Sequence, residues 1–174
     1  AIACEMDWGK ENEIFAVTAE EFLTDSMSIF GYAYTSEKLK GMRDIFINAQ
    51  TVYFYRLNKG TQASCDLGKA RYGGARGNDI SISVVSSEEQ YTVETSIDGS
   101  VIDSQTVSSA AELEDNEFII FDKEAELTPT GKTNLLGGDN GSVSEMAHQE
   151  FLDKLESISF NNLGCLSDGE TIKK

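Results

Sequence analysis

The spacing of apolar residues changes within residues 51–85, and this change constrains the fold more than any other feature of the chain. The stretch opens with the continuous run Val52-Tyr53-Phe54-Tyr55, which is typical of a buried strand. It then crosses a basic, glycine-rich segment at 69–79 and ends in strict alternation from Ile80 to Val84. Alternation with a period of two predicts a strand that buries one face. We therefore expect the chain to pass here from one structural layer to another.

The residues before this stretch predict alternating strands and helices. The expected strands cover 1–7, 13–17 and 51–56, and the expected helices begin after Thr18 and Ser36. Thr18 and Glu21 match the Thr-x-x-Glu pattern, in which two side chains satisfy free amides at a helix start. Gly31 is a suitable residue for ending that first helix. Strand–helix–strand alternation favours an α/β layer, but two or three strands do not complete one, so we expect partner strands elsewhere.

Short alternating segments with turns between them follow from Gly60 onward. Asp98-Gly99 is a strong hairpin signal, because the tightest hairpin turns need positive φ angles that glycine adopts without steric cost. A glycine-rich linker at 136–141 precedes a second capping-box pattern, Ser142 and Glu145, and then an amphipathic helix. Residues 161–166 are interpreted as a strand that returns to the first layer.

These patterns predict an α+β fold, in which an incomplete α/β layer built from two segments carries an inserted antiparallel β-sandwich or barrel domain. The predicted boundaries are 1–58 for the first segment, 59–141 for the insert and 142–174 for the return segment. The chain begins within an apolar run and stops where a helix could start. We expect it to be a fragment of a longer protein.

The charge of the chain argues against two classes of partner. The net charge is −16, from 14 Lys and Arg against 30 Asp and Glu. Such a field repels nucleic acid and anionic membrane surfaces. No apolar run approaches the roughly 20 residues that a membrane-spanning helix needs. We predict neither a nucleic-acid nor a membrane partner, and an acidic solvated surface is the simplest reading of the charge.

Cysteine and histidine offer little chemistry. Cys4, Cys65 and Cys165 are widely spaced and form no CxxC motif, so buried thiols are favoured, although a disulfide between the first and the last stays open. His148 is the single histidine, and no Ser or Cys can be tied to it by spacing. We predict no catalytic, cofactor-binding or metal-binding residue.

One tripeptide resembles the end of a phosphate-binding loop but fails the rest of the motif. Gly131-Lys132-Thr133 has Glu126 where the first glycine of the loop would be, and that carboxylate would repel a phosphate. Pro129 also removes an amide that the loop would use. A turn is the simpler interpretation.

The densest positive group consists of Lys69, Arg71 and Arg76 in the glycine-rich crossing. In so acidic a chain, these cations could receive an acidic patch of another copy, and we note them as candidate subunit-interface residues. A solvated face without a partner is the alternative.

Three segments resemble a known family. They are the run GYAYTSEKLKGMRDIFINAQTVYFYRLN at 31–58, the run ARYGGARGNDI at 70–80, and the pair FLDKLE at 151–156 with FNNL at 160–163. Together they resemble the tail sheath protein of contractile-tailed phages, and more narrowly the sheath of defective prophages and of R-type bacteriocins of Gram-positive bacteria. The matches span nearly the whole chain in the family's order.

The resemblance implies a structural, non-enzymatic subunit without a cofactor. Family members stack as hexameric rings in a helical lattice around an inner tube above a baseplate, and contraction drives the tube through a target envelope. They would assemble in the bacterial cytoplasm and then form part of a phage or phage-tail-like particle. The resemblance further implies that the N-terminal arm and the C-terminal domain of the family lie outside this chain, so we expect this piece alone to be monomeric. A soluble β-sandwich binding or adhesin module is the alternative, and it would need a groove with exposed aromatic residues.

Overall fold

A computed structural model describes residues 1–165 and divides the chain into two compact units. The first unit consists of residues 1–59 together with the segment from Gly141 onward, and the second consists of residues 60–140. The first combines helices with a mixed sheet, and the second is built from antiparallel strands. The predicted α+β class is confirmed.

Within the described residues, the strands and helices have the following bounds. The strands are β1 (Ile2–Cys4), β2 (Ile14–Thr18), β3 (Thr51–Arg56), β4 (Ser64–Cys65), β5 (Gly68–Ala70), β6 (Ile80–Ser87), β7 (Gln90–Ile97), β8 (Ser100–Val107), β9 (Ile119–Phe121), β10 (Thr130–Asn134) and β11 (Gly164–Cys165). The α-helices are α1 (Ala19–Thr24), α2 (Ser26–Phe30), α3 (Lys40–Phe46) and α4 (Ala147–Leu155). Single 3₁₀ turns cover Glu37–Leu39, Ala75–Asp79 and Ala110–Glu112.

The sheet of the first unit has the strand order β11-β1-β3-β2. β1 runs parallel to both β3 and β11, whereas β2 runs antiparallel to β3. The return strand predicted over 161–166 is found at Gly164 and Cys165, which pair with Ile2 and Ala3, while Leu166 lies outside the described residues. The returning segment therefore completes a sheet that the first segment begins.

Each face of this sheet has its own apolar cluster. On one face, Phe54 is fully buried against Phe15, Phe30 and Phe46, with ring centroids 5.1 to 6.1 Å apart. The other face carries α4, whose buried residues belong to the same cluster as Tyr55. Such ring pairs add to the hydrophobic free energy of burial, so the phenylalanines packed around Phe54 are core residues.

Two predictions about helix ends have different outcomes. The capping box at Thr18 and Glu21 is confirmed, with the Thr18 Oγ1 accepting from the Glu21 amide at 3.2 Å. The capping box predicted at Ser142 and Glu145 is wrong, because α4 begins at Ala147 and the residue before it makes no side-chain cap. A capping sequence thus helps a helix only where the chain is already in position to start one.

The first predicted helix is in fact two short ones. α1 ends and α2 begins around Asp25, whose φ of −115° is outside the helical range. Thr24 donates its hydroxyl to the Glu20 carbonyl and to the Asp25 carboxylate, and such local bonds compete with the helical backbone ladder. Gly31 ends α2 with φ +78°, as predicted.

The second unit consists of two antiparallel sheets, ordered β10-β6-β7-β8 and β4-β5-β9. The alternation predicted at 80–84 places Ile80, Ile82 and Val84 in the buried core. The hairpin predicted at Asp98-Gly99 joins β7 to β8, and both residues have positive φ, +51° and +80°.

Candidate subunit interface

Lys69 is the exposed member of the predicted positive group. It lies on β5, directly opposite Ser64 of β4 and Ile120 of β9. Directly paired residues of a sheet share a face, so the ammonium stands on the same side as these two neighbours. Lys69 is exposed, whereas the next residue, Ala70, is fully buried. A charge in this position is available to a partner.

Arg71 follows β5 and is half-buried. Its backbone amide donates to the Phe118 carbonyl at 2.8 Å, and its side-chain Nε donates to the Asn116 carbonyl at 2.8 Å. Both bonds tie it to the segment that leads into β9. Part of its guanidinium is therefore committed to holding the fold of this unit.

Arg76 is buried, with 4 % of its surface exposed. Its guanidinium donates to the Asp79 carboxylate at 2.8 Å and to both oxygens of Asp98 at 2.9 and 2.5 Å. The hydrogen bonds from Arg76 lower the pKa of Asp98, although partial burial opposes the shift. Arg76 thus fixes the β7–β8 turn, and a contact of any of the three cations with another subunit stays a prediction.

Asn116 is an anchor that the sequence analysis missed. Its Oδ1 accepts from the amides of Phe118 and Ile119 at 2.9 and 2.8 Å. Its Nδ2 donates to Thr95 Oγ1 at 3.1 Å and to the Asp103 carboxylate at 2.9 Å. The signal available in the sequence was an asparagine just before a buried strand, a position where its side chain commonly bonds the following amides.

The second unit has a groove of about 590 Å³ between β4 and β10. It is lined by Ser64, Cys65, Asp66, Leu67, Ile82, Glu126, Thr128, Thr130, Thr133, Asn134 and Leu136. None of these lining residues is aromatic. The groove therefore lacks the exposed aromatic residues that the alternative of a soluble binding or adhesin module requires.

The groove also holds one of the cysteines. Cys65 is a free thiol at the half-buried end of β4, and burial raises its pKa. A thiol with a raised pKa is a poor nucleophile because less of it is ionised at neutral pH. The sequence favoured buried thiols, and Cys4 is buried whereas Cys65 is half-buried.

Other motifs do not form a chemical site. Gly131-Lys132-Thr133 lies within the exposed strand β10, so no helix start is present there to bind phosphate. His148 is half-buried on α4. Within residues 1–165 no three His, Cys, Asp or Glu side chains group in a way that could hold a metal ion. No helix in that part of the chain has the length and apolar character to cross a bilayer.

Comparison with protein families matches residues 1–140, which are the first segment of the first unit and the whole of the second unit. Residues 1–57 match the N-terminal region of domain III of the tail sheath protein Gp18. Residues 58–140 match the β-sandwich domain of phage tail sheath proteins. The chain belongs to the phage tail sheath proteins. In this sheath chain, the match to the β-sandwich domain begins directly after the match to the N-terminal region of domain III ends.

Individual relatives agree with this assignment. Two Bacillus subtilis proteins, the uncharacterized YqbK and the protein XkdK of the phage-like element PBSX, are each 28 % identical over 99 % of this chain and 42 % of their own length. A sheath tail protein of Desulfitobacterium hafniense is 30 % identical, with a TM-score of 0.88 over 99 % of this chain and 43 % of its own. A sheath tail protein of Listeria innocua is 28 % identical, with a TM-score of 0.82 over 99 % of this chain and 42 % of its own.

The sheath chain therefore spans less than half the length of these relatives. The resemblance stated from the sequence is confirmed at the level of the family and of its prophage members. The family is one of structural proteins of the phage particle, which favours a non-enzymatic role.

Proposed function

We propose that this chain is part of a subunit that polymerises around an inner tube and contracts to drive the tube through a target cell envelope. The observation that supports this most strongly is the succession of two sheath domains along residues 1–140. The fold agrees, because a β-sandwich interrupts an α/β unit whose sheet is completed only by the returning strand β11. A subunit of this kind does mechanical work by changing its contacts with neighbouring subunits, and it needs no catalytic residue.

The proposal assigns a part to each segment. Residues 1–58 and 142–174 form the α/β sheath domain, and residues 59–141 form the inserted β-sandwich that faces away from the tube. In support, the two family matches meet at residues 57 and 58, next to the point where the compact units divide. The family match to the sandwich ends at residue 140, close to the proposed return.

The proposed partners are other sheath subunits in hexameric rings and a helical lattice, together with the inner tube protein and the baseplate. Assembly would take place in the bacterial cytoplasm, and the product would be a prophage or R-type bacteriocin particle. One relative is named as a protein of a phage-like element, which favours a particle of this kind. The net charge of −16 supports a scaffold that does not bind nucleic acid.

Within the lattice, Lys69 and Arg71 are proposed to contact an acidic surface of a neighbouring subunit, and Arg76 to hold the β7–β8 turn. Each subunit has carboxylates that could form the acidic surface, because Glu112, Glu114 and Asp115 are all exposed. Opposite charges at an interface steer association and fix its register more than they add affinity.

Electron microscopy tests the function directly. The natural polypeptide that carries this sequence should be produced together with its inner tube protein and viewed by negative stain. Tubes with a regular axial repeat are expected in two forms. Most should be long and narrow, and a fraction should be shorter and wider, as contraction requires. The 174-residue chain alone is the control and should remain monomeric. Persistent monomers of the full polypeptide in the presence of tube protein would contradict the proposal.

A further inference from the structure

One sequence at the end of the glycine-rich linker carries chemistry that the proposed function does not use. Asn140 is the only asparagine in the chain that is followed by a glycine, Gly141. Both residues are exposed, and both lie outside the helices and strands. Asn140 is the last residue of the second unit, and Gly141 is the first residue of the returning segment. Water therefore reaches this pair.

The backbone conformation of Gly141 explains why a glycine is present at this position. Its φ is +64°, in the left-handed region that residues with a Cβ rarely adopt. The same missing Cβ leaves the backbone nitrogen of Gly141 open to approach by the side chain that precedes it. The residue that suits this turn therefore also removes the steric shield from that nitrogen.

We propose that Asn140 is a site of spontaneous deamidation through a cyclic imide. The backbone nitrogen of Gly141 loses its proton and attacks the Cγ of Asn140, and the new N–C bond closes a succinimide ring. The bond between Cγ and Nδ2 breaks, and the NH₂ group takes up a proton and leaves as ammonia. Water then opens the ring at one of its two carbonyl carbons, which gives either aspartate or isoaspartate. No oxidant or reductant takes part.

The fold holds a second pair of this kind, Asp98-Gly99, more firmly. An aspartate before a glycine can close the same ring with loss of water, but both oxygens of Asp98 accept from the buried Arg76, at 2.9 and 2.5 Å. The ring can form only after these charge-assisted bonds break. The Oδ1 of Asn140 accepts from the Ala75 amide at 2.7 Å in an exposed position, where water can replace that bond. Asn140 should therefore react before Asp98.

The two products differ in their effect on the second unit. Ala75, which donates its amide to Asn140, is the first residue of the 3₁₀ turn that contains Arg76. Aspartate keeps an acceptor oxygen at this position and adds one negative charge. Isoaspartate adds a methylene group to the main chain and leaves the carboxylate directly on Cα, so the bond to Ala75 is lost. We expect isoaspartate, and not aspartate, to loosen the start of this turn.

Ageing of the natural full-length polypeptide tests the inference. Samples are incubated at neutral and at mildly alkaline pH, and peptide mass spectrometry measures the replacement of NH₂ by OH at each asparagine. Asn134 is the internal reference, because it is exposed but is followed by Leu135. Deamidation at Asn140 should be at least about tenfold faster than at Asn134, because no Cβ shields the attacking nitrogen. The rate should rise with pH, because that nitrogen must lose its proton.

Gly141→Asp is the matched variant, because aspartate adopts the left-handed conformation more readily than most residues while its Cβ shields the nitrogen. Deamidation at Asn140 should fall at least about fivefold in this variant. Equal rates at Asn140 and Asn134 in the native chain, or an unchanged rate in the variant, would overturn the inference.

Hydrogen exchange measures the effect of the products. The peptide that contains Ala75 should exchange faster in aged protein rich in isoaspartate than in the Asn140→Asp variant, because only isoaspartate loses the bond to the Ala75 amide. Equal exchange would contradict the effect assigned to isoaspartate. None of these measurements depends on whether tubes form.

Discussion

The guanidinium of Arg76 is bonded to the carboxylate of Asp98 through two parallel hydrogen bonds, with lengths of 2.9 and 2.5 Å. The arginine comes from the glycine-rich crossing that precedes β6, and the aspartate is the first residue of the two-residue turn between β7 and β8. A two-pronged bond of this kind fixes orientation as well as distance. It therefore locks the crossing to the turn within the second unit.

Replacement of the arginine should destabilise the fold. Arg76→Met keeps the buried aliphatic stem and removes the cation that binds two carboxylates, both more than half exposed, so we expect a loss of about 0.5–2 kcal/mol in the free energy of unfolding. Urea unfolding followed by circular dichroism measures it. Lys132→Met, on an exposed strand, is the control and should change stability by less than about 0.5 kcal/mol. A loss at Arg76 no larger than the control would show that the ion pairs contribute nothing.

Replacement of Asp98 separates the contribution of the ion pair to stability from that of the turn conformation. Asp98→Asn preserves a residue that accepts positive φ, so only the charge is removed. Because the side chain of Asp98 is 54 % exposed, solvent screens the pair, and we expect a loss of only about 0.5–1 kcal/mol at pH 7.

The pH dependence of that variant has a definite sign. Arg76 lowers the pKa of Asp98 in the folded protein, so the pair stabilises the fold above the ordinary aspartate pKa of about 3.9 and is lost as the pH falls through the folded pKa. The difference in stability between native chain and Asp98→Asn should thus be constant above about pH 5 and shrink below pH 4. A difference that grew on acidification would refute the assignment.

Asn116→Ala should cost about 2–3 kcal/mol, because it leaves the amides of Phe118 and Ile119 without their acceptor in a partly buried site. Denaturant unfolding of the native chain and of the Asn116→Ala variant measures this loss of stability. Gln90→Ala, at an exposed position on β7, provides the comparison and should be nearly neutral. Equal stabilities for the two variants would show that water replaces the asparagine at no cost.

Gly77 should not tolerate a side chain. A Cβ at this buried position would lie 2.9 Å from the Ala63 Cβ and 3.1 Å from the Ala70 Cβ. We expect Gly77→Ala to lower the free energy of unfolding by about 1–3 kcal/mol through overpacking. Gly131→Ala is the matched control, because nothing lies within 4 Å of its added Cβ. Thermal unfolding of both variants decides the matter, and equal Tm values would mean that the site relaxes freely.

The proposed interface predicts an effect on assembly without one on stability. Lys69→Glu reverses an exposed charge, so it should leave the Tm unchanged while reducing the yield of sedimentable tubes from the full polypeptide about threefold or more. Lys132→Glu, also exposed, is the control for a general increase in acidity. Equal tube yields from the two variants would remove Lys69 from the interface.

The elements with strong local signals were predictable from sequence. The run at Val52 to Tyr55, the alternation from Ile80 to Val84 and the Asp98-Gly99 turn each have a physical cause within a few residues, and each is present in the fold. The capping box at Thr18 succeeded for the same reason. The family could be recognised because several such segments occur in a fixed order.

The contacts between distant residues were not predictable. Arg76 and Lys69 look equivalent in sequence, but one is buried by carboxylates from residues 79 and 98 while the other is exposed. The role of Asn116 depends on Thr95 and Asp103, which the sheet brings to it. The break at Asp25 depends on a choice between competing hydrogen bonds, which spacing alone does not reveal.

The chain leaves and re-enters the first unit at adjacent points, since Asn58 and Val143 form an antiparallel bridge. The polypeptide between them thus begins and ends at two chain segments that lie side by side in the first unit. A tight turn could take its place without moving either anchor, because the ends that it must join already lie side by side. Evolution can therefore exchange or enlarge the second unit while the first unit keeps its fold.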